Sequence, residues 1–251
     1  MITEIRLQSN NGESTARFWS AIFNVPAEHL GPDRWGIHSW RITPATGPTV
    51  ALSTTPVVET ISRYIDITVV VDAGAPNRLR ALGFEVADDG SQAVDVNGTD
   101  STVFLVTPDP ISPDLYEDDP AVGKAHTAEL MRRSPDTVAA SPTRLSLMVI
   151  YVPDPRVELA AKFYAAVLNV EPRREQHGGP EHWSVARGGL TIELYPVGDR
   201  IHTSSRFEFA EDAVGAVARL TDRAFALPER TPDGRGWWCH DPCGNTVILL
   251  Q

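Results

Sequence analysis

Gly236-Trp237-Trp238-Cys239-His240-Asp241-Pro242-Cys243-Gly244-Asn245-Thr246-Val247-Ile248-Leu249-Leu250 closes the chain. Asp-Pro-x-Gly-Asn is strong turn chemistry: proline presets φ, glycine accepts positive φ, and the Asp and Asn side chains bond to nearby backbone. β-formers flank it on both sides, so the stretch reads as a closing hairpin. Working backwards, Arg144–Val152 (RLSLMVIYV) is apolar and β-branched, and Pro153-Asp154-Pro155 ends that strand and opens a helix. From Val157 to Leu168, the residues Ala160, Phe163, Tyr164, Val167 and Leu168 recur at the spacing of a core-facing stripe. Strands are expected at Pro172–Gln176, His182–Arg187 and Leu190–Val197, separated by Gly178-Gly179-Pro180 and Gly188-Gly189. This is one β-α-β-β-β unit. A second runs through the strand Ser205–Ala210, the helix Asp212–Arg223 and the strands Leu227–Thr231, Gly236–His240 and Asn245–Leu250.

The first half repeats the pattern with weaker signals. Ile2–Gln8 reads as a strand, Glu13–Phe23 as a helix, and Trp35–Thr43 and Thr49–Thr54 as strands. A further unit then starts with the strand Tyr64–Val71 and the short helix Pro76–Leu82, and continues with the strands Phe84–Ala87, Gln92–Val96 and Ser101–Val106. Between the halves, Pro108 to Pro142 carries six prolines, an acidic run Glu117-Asp118-Asp119 and a helical turn near Ala125–Arg132, a linker composition.

At 251 residues the chain has room for two domains, each able to bury a core. A composition of 42% hydrophobic and 22% charged residues is that of a folded protein. The net charge of −11 argues against nucleic acid or an anionic membrane as partner. The N-terminus lacks a basic and then apolar leader pattern, and no apolar run approaches the ~18 residues of a membrane span, so the cytoplasm is the expected location. Cys239 and Cys243 alone do not make a disulfide framework.

Four such units, with the hairpin Asp241–Asn245 and the strand-plus-helix Tyr151 to Leu168 containing Phe163-Tyr164, resemble the glyoxalase/bleomycin-resistance/extradiol-dioxygenase superfamily, the vicinal oxygen chelate proteins. The resemblance implies an α+β fold of two tandem glyoxalase-like domains, each of two βαβββ units forming an incomplete barrel around a cleft. The expected boundaries are 1–108 and 141–251, with 109–140 as linker. One chain then supplies an internal pseudo-dimer, leaving a monomer or a homodimer open.

In metal-using members, the first and last strands of the units carry the ligands that let a divalent ion chelate adjacent substrate oxygens. Carried over, those positions fall at Leu147, Glu193, Ser204 and Ile248 in the second half, where only Glu193 is a ligand. In the first half they fall at Glu4, Ala51, Tyr64 and Phe104, where only Glu4 is. One carboxylate per cleft does not hold a catalytic metal, so no metal and no cofactor are expected. Cys239-His240-x-x-Cys243 offers soft ligands but spans a tight turn, and the seven histidines show neither i, i+4 nor H-x-H spacing.

What the resemblance leaves in the C-terminal cleft is an aromatic and ionic lining: Trp238, His240 and Ile248 on the closing hairpin, faced by Tyr151, Glu193, Tyr195, Arg206 and Glu208. Apolar walls with few polar fixers suit a small molecule. The function expected is therefore a metal-independent, bleomycin-resistance-like protein that sequesters a small aromatic or planar ligand in that cleft. The alternative is a metal-independent isomerase, cyclase or lyase acting on a natural-product intermediate, with Glu193 or His240 as general base. A metal-dependent lyase or dioxygenase ranks last. The N-terminal cleft around Glu4, Arg6 and Trp40 is the fallback site.

Overall fold

The computed structural model describes residues 2–33, 35–56, 61–62, 64–95, 98–99, 101–107, 143–176, 179–199, 201–210 and 212–251. The expected linker 109–140, with its helical turn, lies outside them.

Each unit is a strand, a helix and a three-strand meander. The first runs β1 (Ile2–Ser9), α1 (Gly12–Phe23), β2 (Glu28–Pro32), β3 (His38–Ile42) and β4 (Thr49–Thr54). The second is β5 (Ile65–Val70), α2 (Ala75–Ala81), β6 (Glu85–Val86), β7 (Gln92–Val94) and β8 (Thr102–Val106). The third is β9 (Arg144–Val152), α3 (Val157–Leu168), β10 (Arg173–Glu175), β11 (His182–Arg187) and β12 (Leu190–Pro196). The fourth is β13 (Arg206–Ala210), α4 (Ala213–Asp222), β14 (Glu229–Arg230), β15 (Gly236–His240) and β16 (Thr246–Leu250).

Local chemistry repeats between alternate units. Phe18-Trp19 on α1 and Phe163-Tyr164 on α3 are buried, and six residues after each phenylalanine an asparagine, Asn24 or Asn169, ends the helix at φ 54. Asparagine tolerates this left-handed cap better than other side chains. In the second and fourth units an arginine caps the preceding helix. Arg78 donates to the carbonyls of Ala21 and Ile22 and pairs with Asp72, while Arg219 donates to those of Ala166 and Val167 and pairs with Asp212. A guanidinium at a helix C-terminus satisfies orphan carbonyls and meets the negative end of the dipole. The carboxyls of Asp72 and Asp212 are both held below their ordinary range, chiefly by the hydrogen bond from that arginine.

Helices α1 and α2 pack together, and so do α3 and α4, joining the units of each half. The sheets do the opposite. One eight-stranded sheet, here sheet A, has the order β14-β15-β16-β13-β1-β4-β3-β2 and so joins the fourth unit to the first. Sheet B, β10-β11-β12-β9-β5-β8-β7-β6, joins the third to the second. The seams are antiparallel, β1 on β13 and β5 on β9. The α+β class and the four βαβββ units curled around two clefts therefore stand, and each cleft draws one unit from each half of the chain.

One face of each sheet is buried under helices by alternating apolar residues such as Ile5, Leu7, Phe207, Phe209, Ile65, Ile67, Met148 and Ile150. Residues of opposite parity line the other face, and these form the cleft floors.

Candidate functional site

The register of sheet A sets its floor. One row across the strands reads Glu229–Trp238–Ile248–Glu208–Glu4–Thr49, and the next reads His240–Thr246–Arg206–Arg6–Ala51–Arg41. At the seam, Arg6 Nη2 lies 2.5 Å from Glu4 Oε1, Arg41 Nη2 lies 3.3 Å from Glu4 Oε2, and Arg206 Nη2 lies 2.8 Å from Glu208 Oε1. Arg6 Nε reaches Glu208 Oε1 at 3.3 Å, within ion-pair range but off-axis for a hydrogen bond. Both glutamates are buried. Among the described residues, the buried Nε–H groups of Arg6 and Arg206 have no hydrogen-bond acceptor. Burial, and after it the neighbouring Arg6, lowers the pKa of Arg206, against the pull of Glu208 and Glu4. The site thus holds three guanidiniums against two carboxylates.

The closing hairpin supports this floor. Asp241 Oδ1 accepts from the backbone N–H groups of Cys243 and Asn245, both at 2.8 Å. Its Oδ2 accepts from Asn245 Nδ2 at 2.9 Å and from the Tyr164 hydroxyl of α3 at 2.8 Å. Gly244 takes the positive φ of 94° that the turn requires. Burial and then Asp241 push the Cys239 and Cys243 thiols up to about 12, so both stay protonated at neutral pH. Trp237 faces the other way, beneath the Arg230 guanidinium at 3.9 Å, whereas Trp238 stands edge-on to His240 over the floor, with ring centroids 5.4 Å apart.

Sheet B carries different chemistry. One row reads Arg173–Ser184–Glu193–Val149–Asp66–Thr102. The neighbouring row contains the pairs Glu175–His182 and Tyr195–Tyr151. Tyr151 donates to Asp66 Oδ2 at 2.6 Å, across the seam between the halves. His182 is buried and stacks on Tyr195 with centroids 4.0 Å apart and planes 12° apart. Burial, with Glu193 next, raises the Tyr195 pKa far above its ordinary value, so the phenol stays protonated. Ligand atoms of Glu175, His182 and Glu193 all lie within 4.8 Å of one another.

The eight residues expected to share one cleft are therefore divided. Arg206, Glu208, Trp238, His240 and Ile248 lie in sheet A, and Tyr151, Glu193 and Tyr195 in sheet B. The fallback residues Glu4 and Arg6 join the first group, while Trp40 lies on the opposite face, against Gly12 of α1. Glu208, rather than Ser204, aligns with Glu4 and Ile248, so sheet A has two central carboxylates where one was expected. They do not make the metal centre that the resemblance implies, because arginines already engage both, and Ala51 and Ile248 supply no donor. Sheet B does not fit that centre either, since Leu147, Val149 and Phe104 are apolar and Asp66 is engaged by Tyr151.

Sequence reasoning missed Arg41, Asp66, Glu175 and His182. The sheet A seam gave no signal of its pairing: read antiparallel, Glu4-Ile5-Arg6 and Arg206-Phe207-Glu208 set like charges directly opposite, Glu4 on Glu208 and Arg6 on Arg206. That arrangement is disfavoured for bare cross-strand pairs, and here the charges pair along each strand and diagonally instead. A small crevice between α3 and α4, lined by Val167, Arg187, Phe209 and Arg219, opens on the helix side and touches neither floor.

No protein-family model matches the sequence, and no curated protein matches it. Solved structures do. Glyoxalase I from Zea mays, 13% identical, superposes with a TM-score of 0.58 over 100% of this chain and 92% of that one. A variant of the same enzyme gives 0.60 at 14% identity over the same shares. A Bacillus subtilis protein carrying a dioxygenase name, 10% identical, gives 0.55 over 99% of this chain and 84% of that one. The chain has the vicinal oxygen chelate fold in its tandem, two-cleft form. No helix among the described residues is long and apolar enough to cross a membrane.

Proposed function

We propose that this chain binds, without a metal ion, a small planar acid in the cleft of sheet A, and holds it rather than transforming it. The observation that carries the reading is the pair of buried Nε–H donors on Arg6 and Arg206 with no acceptor among the described residues. A buried charged donor left unsatisfied costs on the order of 1–3 kcal/mol, and a carboxylate placed over the seam removes that cost by charge-assisted hydrogen bonds. At the seam three guanidiniums crowd two carboxylates, so a ligand carboxylate placed there meets donors on more than one side. In this cleft the arginines take the part that a divalent cation plays in metal-using proteins of this fold.

Trp238 supplies the planar preference. It lies two strands from Glu208, roughly 10 Å at ordinary strand spacing, with the buried Ile248 between them. A flat molecule of that length places its carboxylate over the arginines and its ring against the indole. The cytoplasm, where Cys239 and Cys243 stay reduced, suits such a binder. The test is titration of the protein with 2-naphthoate and with 2-naphthamide, followed by tryptophan fluorescence. Saturable binding of the acid at least about tenfold tighter than the amide, a difference of about 1.4 kcal/mol, supports the reading. Equal affinities, or none, refute it.

A further inference from the structure

We propose that Glu175, His182 and Glu193 form a divalent-metal site on the outer strands of sheet B, suited to zinc(II) or manganese(II). The site is separate from the acid-binding cleft and from the first- and last-strand set that the resemblance implies, sharing only Glu193 with that set. Its donors come from three adjacent strands, β10, β11 and β12. Glu175 and His182 form a cross-strand pair, and Glu193 enters from the far side of β11, opposite Ser184.

The imidazole is oriented from two directions. Its face lies on the Tyr195 ring, and its Nδ1 lies 3.2 Å from the Pro180 carbonyl oxygen. A carbonyl can only accept, so Nδ1 carries a proton, and in the neutral imidazole the remaining lone pair is the one on Nε2. A backbone carbonyl on the far ring nitrogen fixes the tautomer and ring orientation of a metal-binding histidine in this way. Glu175 is held in turn by the Ser184 hydroxyl, which donates to its Oε1 at 2.8 Å. A hydrogen bond of this kind orients a ligating carboxylate.

Charge and distance agree. Two carboxylates and a neutral imidazole carry −2, matching a divalent ion, and mixed nitrogen and oxygen donors suit the borderline first-row metals. With bonds of about 2.0–2.2 Å, donors around one ion lie no more than ~4.4 Å apart, so atoms within 4.8 Å of one another need to close by only a few tenths of an ångström. Both glutamates are partly exposed, which leaves coordination positions open to water or a ligand oxygen.

The competing arrangement is a protonated His182 held between two carboxylates with no metal affinity. The full chain, stripped with chelator and dialysed, is titrated with Co²⁺ in visible absorption and with Zn²⁺ by calorimetry. One ion per chain, with affinity falling by roughly 100-fold or more in Glu175→Gln and in Glu193→Gln, is the expected result. Both variants keep side-chain shape, and a thermal melt checks that each is folded. His29→Ala, which removes one of two exposed imidazoles with Nε2 and Nδ1 3.0 Å apart, and the double variant Cys239→Ser/Cys243→Ser should leave the affinity unchanged. No saturable binding, binding that both glutamine variants retain, or binding lost in His29→Ala or the cysteine variant would overturn the proposal. Planar-acid binding in sheet A is read separately, so either proposal can fail alone.

Discussion

At the centre of sheet A, Glu4-Ile5-Arg6 lies against Arg206-Phe207-Glu208, while at the centre of sheet B, Asp66-Ile67-Thr68 lies against Leu147-Met148-Val149. The middle residue of every triplet points into the helix-covered core, and all four are buried hydrophobics. The flanking residues point into the clefts, and there the two sheets diverge. Sheet A gathers arginines over buried glutamates at its seam. Sheet B keeps its seam largely uncharged apart from Asp66 and moves its acids and its histidine to the outer strands. A repeated backbone therefore does not repeat chemistry, because the core-facing parity fixes the fold and the other parity is free to change.

The hairpins closing the two sheets differ in the same way, and the largest expected effect follows from that. β15 and β16 are tied by Asp241, which accepts four hydrogen bonds, whereas β11 and β12 turn through Gly188-Gly189, at φ 65 and 84, with no buried carboxylate in the turn itself. Asp241→Ala strands buried donors, including the Tyr164 hydroxyl, and should destabilise the protein by about 3 kcal/mol or more in denaturant unfolding. An effect under about 1 kcal/mol would show that the carboxylate does not hold this hairpin.

Next in size is the ligand contact. Arg206→Met keeps much of the packing but removes the donor and the hydrogen-bonded partner of the buried Glu208. Affinity for a planar acid, measured well below the melting transition, should drop on the order of 10- to 100-fold while the melting temperature also falls. Tyr151→Phe and Glu193→Gln should leave that affinity unchanged, because both residues belong to sheet B. Coupled losses across the two groups would mean that the eight residues share one cleft after all.

A pH series sharpens the comparison further. The folded Cys239 and Cys243 thiols hold their protons to about pH 12, against an ordinary value of 9.0, so between those limits the folded chain binds more protons than the unfolded one. Stability is then fully present below pH 9 and falls as pH rises from 9 towards 12. Thermal melts across that window should show the decline, and Cys239→Ser/Cys243→Ser should flatten it. Tyr164, also raised by burial and Asp241, contributes in the same direction.

The smallest expected effect is that of Tyr151→Phe on stability. The Tyr151 hydroxyl bonds Asp66 across the seam at 2.6 Å, and its loss should cost about 1 kcal/mol, read from the denaturant midpoint.

Much of the backbone was legible in the sequence, since strong periodicity and punctuation act locally. Arg144–Val152, Val157–Leu168, His182–Arg187 and Gly236–His240 fall where the pattern places them. β2, Glu28–Pro32, was not expected, because an edge strand with exposed residues and a Gly-Pro end shows no alternation. The pairing of units was also hidden. Sequence adjacency favours joining the first unit to the second, but burial of the helices does that job and leaves the sheets free to join across the halves. The site was divided for the same reason. Arg206 and Trp238 could be picked out as cleft residues from their strand, but their partners Glu4 and Arg6 stand some two hundred positions away in the chain.

The central claim is that the seam arginines of sheet A receive an anionic ligand. The most direct measurement is NMR of the arginine Nε–Hε groups in ¹⁵N-labelled protein titrated with 2-naphthoate. The signals of Arg6 and Arg206 should shift together and saturate at one ligand per chain, with Arg206→Met removing one signal and weakening the response of the other. If both stay fixed while a saturating ligand perturbs resonances of Tyr151, Glu193 or Tyr195 instead, the working cleft is that of sheet B and the account is wrong.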